Sequence, residues 1–187
     1  MKNFDFDVVK TDIIIDGGNV LKSENLVIMT DKVLKENKKK YLPQELIAEL
    51  ERLFEVDKVI LIPPDKKDRY GHADGMLRFV DFNTVVANIF YKGWKEFEQS
   101  LRDSGLEIKY LEYNVKSKCK HNWAYINFLQ TSELILIPKF GVEEDEQAFE
   151  QIAQLFPNYY GRIAQVEMNE IIKGGGMLNC MSWTVLE

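Results

Sequence analysis

Three segments place residues that can do chemistry beside otherwise apolar runs. Cys180 follows three glycines in GGGMLNC, His72 and Asp74 lie two positions apart in GHADGM, and Asp16 follows three isoleucines in IIIDGGN. A cysteine thiolate is a nucleophile when a cationic neighbour or a cationic substrate lowers its pKa. On a strand, residues two apart share a face, so His72 and Asp74 can combine acid–base chemistry with binding of a cation. These residue types indicate covalent and acid–base chemistry on a cationic ligand.

Each segment also has a structural interpretation, which its local pattern favours. Asp16 and the glycines after it fit a turn that ends a buried strand. His72 and Asp74 fit a hydrogen-bonded pair in a loop, and Cys180 fits a small buried hydrophobic residue. The glycines at 174–176 let the backbone pass close to another group, which a purely structural cysteine does not require.

Two other kinds of site have little support in the sequence. Zinc requires grouped ligands, but the two cysteines and two histidines have neither CxxC nor HxxxH spacing. Residues 119–121 contribute two candidate ligands at poor spacing. Neither glycine segment has the GxGxxG form or the Walker form of a phosphate loop. The spacing therefore favours neither a zinc site nor a phosphate loop.

The elements that must position these residues recur along the chain. The spacing of apolar residues predicts helices at 43–54, 93–103 and 144–156, each followed by a strand, at 58–62, 106–113 and 162–166. Two strands precede each helix, at 12–15 and 26–30, at 76–80 and 84–90, and at 124–130 and 134–138. This pattern predicts an α/β fold whose stacked repeats bury one another's apolar faces.

A last predicted strand, at 177–185, closes the chain. Asp16, His72, Asp74 and Cys180 all lie beside the first strand of a unit or beside this closing strand. We therefore expect the four side chains to gather at one end of the repeats.

Composition and charge narrow the class of protein. The 187 residues suffice for one domain with a sizeable core. A net charge of −6 argues against nucleic acid as a partner, because phosphate-binding faces are usually basic. The basic run at 116–120 fits a solvated loop. No apolar run approaches the ~20 residues that span a membrane, and the start lacks the apolar core of a signal peptide, so we predict a cytoplasmic protein without membrane contact.

The segments DGGN, GHADGM and GGGMLNC, in this order on repeated units, resemble the agmatine deiminase and Porphyromonas-type peptidylarginine deiminase family. That family is part of the guanidino-group-modifying, or pentein, superfamily. WAYINFLQ and FGVEEDEQAFEQIAQLFP support the resemblance, which covers nearly all of the chain. It implies a β/α-propeller of ββαβ units, with residues 1–187 as a single partial domain holding about three of the family's five units. Leu186 and Glu187 are set aside because they fit a pair left by cloning.

The resemblance implies a role for each candidate residue. Cys180 resembles the nucleophile that attacks the guanidinium carbon, and His72 resembles the general acid and base. Asp74 resembles a carboxylate that grips the guanidinium, and Asp16 resembles the acidic residue that orients the histidine, where many relatives have glutamate. The residues implied to lie beside the substrate are Asn19, Gly174, Gly175 and Gly176. The chemistry that the resemblance implies requires no metal and no organic cofactor.

The resemblance also leaves alternatives open. The family's W-x-R-D motif, whose aspartate supplies a second carboxylate, is not found here, so activity of this chain alone is in doubt. We expect either a deiminase that acts on a guanidino small molecule or an arginyl peptide, or a non-catalytic module that binds a partner or a guanidino ligand. Amidinotransfer is a third, less favoured hypothesis. We also expect a homo-oligomer or pairing with a complementing N-terminal fragment.

Overall fold

The computed structural model describes residues 8–115 and 121–184, and within them the strands form three sheets of one topology. In each sheet the first strand is antiparallel to the second, and the third is parallel to the second. A parallel pair requires a crossover, which a helix supplies in every unit. The first unit comprises β1 (Leu21–Lys22), β2 (Leu26–Thr30), α1 (Lys32–Asn37), α2 (Pro43–Phe54) and β3 (Lys58–Ile62). The second comprises β4 (Leu77–Phe79), β5 (Thr84–Asn88), α3 (Lys95–Arg102) and β6 (Glu107–Leu111), and the third comprises β7 (Leu129–Gln130), β8 (Ile135–Lys139), α4 (Glu144–Leu155) and β9 (Ile163–Glu167).

Helix α2 shows how the sequence forms these elements. Its proline lies in the first turn, where a missing N–H leaves no hydrogen bond unmade. Glu45 accepts a hydrogen bond from the backbone N–H of Leu42, and the helix ends at Glu55, whose φ is 53°. Leu46 and Leu50, four residues apart, are buried on one face of the helix. The apolar residues whose spacing predicted this helix are therefore the residues that it buries.

The buried apolar side chains form three clusters, one around each sheet and its helix. The clusters extend across unit boundaries: Val86 of β5 belongs to the cluster that contains β8, and Leu21 and Ile28 of the first sheet belong to the cluster around β5. Each unit therefore buries part of its apolar surface against its neighbour, as the repeat pattern predicted.

The predictions for the helices and for the strands after them are confirmed to within about two residues, but the predicted first strand, at 12–15, is wrong. The side-chain amide of Asn37 hydrogen-bonds both backbone groups of Ile14, accepting from its N–H at 2.8 Å and donating to its carbonyl oxygen at 2.8 Å. These bonds replace a strand ladder. The first strand of the unit is instead β1, which pairs with β2 through Leu21 and Ile28.

Two further expectations for strands are corrected. The first half of the segment at 124–130 lies in a 3₁₀ helix, Asn122–Ile126, and only Leu129 and Gln130 form a strand. The expected closing strand at 177–185 is wrong for its described residues, 177–184, which contain a turn at 178–181 and no strand; the N–H of Met181 donates to the carbonyl of Met177 at 3.1 Å. The residues of the basic run at 116–120, including Cys119, and also Leu186 and Glu187, lie outside the described residues.

None of the helices in the described part of the chain is long and apolar enough to cross a bilayer.

Candidate active site

A cavity of about 860 Å³ brings together residues that are far apart in the sequence. His72, Asp74 and Cys180 line it, together with Gly174 and Gly175. The expectation that the candidate side chains gather at one place is therefore confirmed for His72, Asp74 and Cys180. The assumed strand geometry is wrong, because Asp74 lies in a 3₁₀ turn, Ala73–Gly75, that follows His72 directly and leads into β4.

Asp16 contacts this site through the histidine. The distance between His72 Nε2 and Asp16 Oδ2 is 3.1 Å. Lys32, the first residue of α1, donates a hydrogen bond to the same carboxylate oxygen. The hydrogen bond from Lys32 is the main cause that lowers the pKa of Asp16, and the bond from His72 adds to it. Asp16 is therefore ionised at neutral pH, and it favours the tautomer of His72 with its proton on Nε2.

Gly18 gives the backbone of the DGGN segment room to pass over the histidine and the second aspartate. A Cβ atom at this position would lie 2.6 Å from His72 Nδ1 and 3.2 Å from Asp74 Oδ1. Atoms do not approach so closely without displacement, so only glycine fits here. The equivalent atom at Gly17 would meet nothing within 4 Å.

Asp74 is the buried anion of the cavity, with 2% of its surface exposed. Its Oδ2 accepts a hydrogen bond from Asn179 Nδ2 at 2.8 Å and lies 3.6 Å from Cys180 Sγ. Among the described residues nothing donates to Oδ1. The carboxylate therefore has one oxygen held by the protein and one that is available to a ligand.

Cys180 lies on the turn after the glycine segment. The residue as a whole is exposed, whereas its sulfur approaches Asn127 Oδ1 at 3.4 Å as well as the Asp74 carboxylate. Burial of the sulfur, followed by the negative charge of Asp74, raises the pKa of the Cys180 thiol. The thiol is therefore protonated at neutral pH in the unliganded protein.

Asn127 joins the cysteine turn to the aspartate turn. It is fully buried, its Nδ2 donates to the backbone carbonyl of Asp74 at 3.1 Å, and its Oδ1 accepts from the backbone N–H of Cys180 at 3.2 Å. Sequence reasoning assigned the surrounding segment, WAYINFLQ, to the core and missed this role. An amide side chain within an apolar run was the signal that marked it.

Asn19 does not line the cavity. Its side chain is buried and binds Thr30, accepting from the backbone N–H at 2.8 Å and from Oγ1 at 2.9 Å. Thr30 Oγ1 also approaches the carbonyl oxygen of Gly71 at 2.7 Å, next to His72 in the chain. Asn19 therefore supports the histidine loop in this structure, in place of the ligand contact that the resemblance implied.

Of the three glycines before Cys180, two line the cavity and one does not. Gly174 and Gly175 line the cavity, whereas Gly176 is not among its lining residues, and a Cβ atom there would lie 3.9 Å from Cys180 Cβ. Gly175 has a φ of 81°, a conformation that favours glycine, and it ends the 3₁₀ helix Ile171–Gly174. The turn brings the backbone, without side chains, to the rim of the cavity.

The rest of the cavity wall is aromatic and charged. Phe90, Trp94 and Trp123 contribute apolar surface, and the loop at 65–70 contributes both acidic and basic side chains. Within the described residues no three histidine, cysteine or acidic side chains are grouped so as to hold a metal ion. The site is therefore suited to a ligand with a cationic head beside Asp74 and an apolar stem.

Two solved structures with bound ligands share this fold. A C. jejuni agmatine deiminase variant with substrate bound matches with a TM-score of 0.75 at 19% identity, over 93% of this chain and 56% of that one. A DDAH variant from Pseudomonas aeruginosa in complex with citrulline matches with a TM-score of 0.56 at 16% identity, over 88% of this chain and 53% of that one. The chain has a mixed α/β fold of the pentein class.

The sequence comparison identifies the family. The profile of the Porphyromonas-type peptidyl-arginine deiminase family matches residues 1–185, and the chain belongs to this family. A Mycoplasma capricolum protein described as "Putative agmatine deiminase" is 26% identical over 214 aligned residues, which cover 94% of this chain and 58% of that protein. The chain thus spans little more than half the length of these relatives.

Proposed function

We propose that this chain carries the catalytic residues of a deiminase that hydrolyses a guanidino group to a ureido group and ammonia. The observation that carries the proposal is the approach of Cys180 Sγ to within 3.6 Å of the Asp74 carboxylate, in a cavity that His72 also lines. A carboxylate that binds a guanidinium at this place holds the guanidinium carbon beside the sulfur. Membership of the deiminase family supports this assignment.

Asp74 is the group that binds the guanidinium. A carboxylate accepts charge-assisted hydrogen bonds from the planar N–H groups of a guanidinium, and burial strengthens such bonds. Asp74 lines the cavity, its Oδ1 has no donor among the described residues, and Asn179 donates to Oδ2 at 2.8 Å. The neighbouring aromatic side chains of Trp94 and Trp123 provide apolar surface for the stem of the substrate.

The cationic substrate itself supplies the charge that ionises the nucleophile. In the unliganded protein burial and Asp74 raise the pKa of the Cys180 thiol, so little thiolate forms. A bound guanidinium offsets the charge of Asp74 and favours the thiolate beside it. The nucleophile therefore becomes ionised only when a suitable cation occupies the cavity.

The reaction then proceeds in two steps. The proton of the Cys180 thiol passes to His72 Nδ1, and the thiolate adds to the guanidinium carbon. The bond from that carbon to a terminal nitrogen breaks while His72 gives the departing nitrogen this proton, so that ammonia leaves and an S-linked amidinium remains. His72 next takes a proton from water, the resulting hydroxide adds to the same carbon, and the C–S bond breaks to give the thiolate and the ureido product, whose extra proton is released to solvent. Covalent catalysis thus divides one difficult displacement into two easier ones.

His72 is suited to this double role because Asp16 orients its ring. With its proton on Nε2 held by Asp16, the ring presents Nδ1 as a basic nitrogen. The carboxylate also stabilises the imidazolium that forms when the ring accepts a proton from water. Asp16 is therefore proposed to act through the histidine, without touching the substrate.

We also propose that the three ββαβ units form part of a larger pentein ring. The chain covers 56% of the length of the matched C. jejuni enzyme. Repeated units arranged in a ring bury their end faces against neighbouring units. A second copy or a separate N-terminal fragment would then cover the end faces of the units, and a fragment with the W-x-R-D motif would also supply a further carboxylate. Light scattering at micromolar concentration tests this proposal, and a stable monomer that is active alone would contradict it.

The activity is tested by incubating the purified chain with agmatine and, separately, with an arginyl peptide. We expect ureido product and ammonia in equal amounts, with no product from Cys180→Ala and undiminished product from the matched variant Cys119→Ala. Product that persists in Cys180→Ala would overturn the assigned nucleophile. The assay is repeated with a candidate N-terminal fragment, since the chain spans only part of its relatives' length.

A non-catalytic module that binds guanidino ligands is the second candidate function, and the partial coverage of the relatives favours it. Labelling of Cys180 by 2-chloroacetamidine separates the two, because this reagent carries an amidinium that seeks Asp74. Labelling much faster than that by neutral iodoacetamide supports a site that binds cations beside a reactive thiol. Equal rates, together with absence of product, favour the non-catalytic module.

A further inference from the structure

Arg78 is a cation behind the proposed site that the mechanism does not use. It lies in β4, opposite Val86 of β5, and its guanidinium lies over the ring of Phe128, 5.2 Å from the ring centroid. NH1 donates to Asn179 Oδ1 at 2.8 Å. It is not among the residues that line the cavity, so it does not compete with a substrate for direct contact.

We propose that Arg78 is a positioning residue for the site. It fixes the orientation of the Asn179 amide, and its positive charge offsets the negative charges of the Asp74 carboxylate and the Cys180 thiolate. This inference deepens the proposed function, since it concerns the same site. Its test measures the reactivity of the Cys180 thiol and requires no catalytic turnover, so this inference and the proposed deiminase activity can be contradicted independently.

The hydrogen bonds form a relay that runs in one direction. Arginine has donors only, so the group of Asn179 that faces Arg78 must be its carbonyl oxygen. The amide nitrogen of Asn179 then points the other way and donates to Asp74 Oδ2 at 2.8 Å. Because Asn179 directly precedes Cys180 in the chain, the same bond also anchors the turn that carries the nucleophile.

The charge of Arg78 has a second effect. Burial lowers the pKa of the Arg78 guanidinium, and the negative charges of Asp74 and Cys180 oppose this shift. When a guanidinium occupies the cavity and Cys180 ionises, Asp74 and the thiolate carry two negative charges, and Arg78 and the ligand carry two positive ones. Without Arg78 this group has a net negative charge in a partly buried place, which disfavours the thiolate.

Other charged groups face the same cavity and are held constant in the test. They are the charged side chains of the loop before His72, that histidine itself, and the lysine before the glycine segment: Asp65, Lys67, Asp68, Arg69, His72 and Lys173. Lys173 is engaged with Glu170 at 2.7 Å. None of them donates a hydrogen bond to Asp74 or Cys180 in the structure, whereas the relay from Arg78 reaches both residues.

The test measures the Cys180 thiol in a Cys119→Ser background, where it is the sole cysteine of the chain. The rate of alkylation by iodoacetamide is followed against pH. We expect Arg78→Gln, which removes the charge and is two bonds shorter than arginine, to raise the midpoint pH by about one unit, so that alkylation below the midpoint is about tenfold slower. We expect Arg78→Lys, which keeps the charge, to leave the midpoint near that of the parent.

The relay is tested by the ratio of the 2-chloroacetamidine rate to the iodoacetamide rate, which reports how well Asp74 is placed for a cation. We expect Asn179→Ala to lower this ratio by about two- to tenfold, the effect of one lost hydrogen bond. We expect the same of Arg78→Lys, because the lysine ammonium ends one bond short of the guanidinium nitrogen that donates to Asn179. Arg102→Gln, which removes an exposed arginine of α3, serves as the control and should change neither quantity.

Two results would overturn the proposal. One is an unchanged midpoint in Arg78→Gln, with the fold confirmed by circular dichroism and thermal unfolding. The other is an unchanged rate ratio in Asn179→Ala. If Arg78→Gln does not fold, Arg78→Lys still decides the matter: a parental midpoint with a lowered ratio supports the proposal, and any other pattern contradicts it.

Discussion

Asp16 and His72 lie 56 positions apart in the sequence and meet at 3.1 Å between Oδ2 and Nε2. The carboxylate approaches from the DGGN turn of the first unit, and the imidazole approaches from the loop before the second unit. Lys32 binds the same oxygen of Asp16, so an ion pair within the first unit orients the histidine that precedes the second unit.

Replacing Asp16 by asparagine should impair proton transfer while the fold survives. The amide can present a donor to His72, which favours the wrong tautomer, and it cannot stabilise the imidazolium. We expect the rate of ureido formation to fall by roughly ten- to a hundredfold, which is part of the contribution of general acid–base catalysis. The measurement is kcat for Asp16→Asn with agmatine or an arginyl peptide as substrate.

Asp12→Asn is the matched control for this change. Asp12 also bonds a lysine, Lys40, at 3.1 Å, but it is exposed and has no contact with His72. It should leave kcat unchanged. Equal losses in the two variants would show that the effect of Asp16→Asn is a general consequence of a lost surface ion pair.

The ion pair of Lys32 and Asp16 should make stability depend on pH. Hydrogen bonds, first from Lys32 and then from His72, lower the pKa of Asp16 from 3.8, so its contribution is present above about pH 4 and is lost as the pH falls through the lowered value. Lys32→Met should therefore reduce the free energy of unfolding at pH 7, by less than about 1 kcal/mol because the pair is partly exposed, and should have a smaller effect at pH 3. Urea unfolding at both values measures the difference, and a loss that is as large at pH 3 as at pH 7 would contradict the assignment.

Gly18→Ala should damage the site through a single methyl group. Its Cβ would lie 2.6 Å from His72 Nδ1, so the histidine or the DGGN turn must move. We expect a loss of about 1–3 kcal/mol in the free energy of unfolding, as in other overpacked sites, together with a marked fall in activity. Thermal unfolding and the ureido assay measure the two effects.

Gly17→Ala separates this steric effect from the loss of a flexible glycine. A Cβ at Gly17 meets nothing within 4 Å, so this neighbouring change should leave activity unaltered and change stability by less than about 1 kcal/mol. If Gly17→Ala and Gly18→Ala behave alike, the close approach to His72 is not the cause.

Asn127→Asp should show that the amide joins the two turns. The substitution keeps the shape of the side chain but removes the donor to the Asp74 carbonyl, and it adds a buried negative charge beside Cys180. We expect a loss of about 2 kcal/mol or more in urea unfolding, because a buried polar group is left without its partner. Asn158→Asp, on an exposed asparagine, should be close to neutral.

Much of the architecture was readable from apolar spacing. The helix at 43–54 and the strand at 58–62 were predicted with the bounds that the structure shows. Their periodicity reflects burial on one face or on both, which is a local property of each segment. The strand predicted at 12–15 was wrong because the amide of Asn37, more than twenty residues away, satisfies the backbone of Ile14.

The sequence by itself determined which chemistry was available: a thiol, an imidazole and two carboxylates, each at the end of an apolar run or beside a glycine turn. Only the tertiary structure decided how these groups are connected. The bonds from Asn127 to Cys180 and from Arg78 to Asn179 join residues 53 and 101 positions apart. Hydrogen bonds of this kind depend on the orientation of each side chain and on how separate units pack together. The spacing of apolar residues along the sequence contains neither kind of information. The side chains of Lys32, Arg78 and Asn127 therefore acquired their places in the site only when the units were assembled.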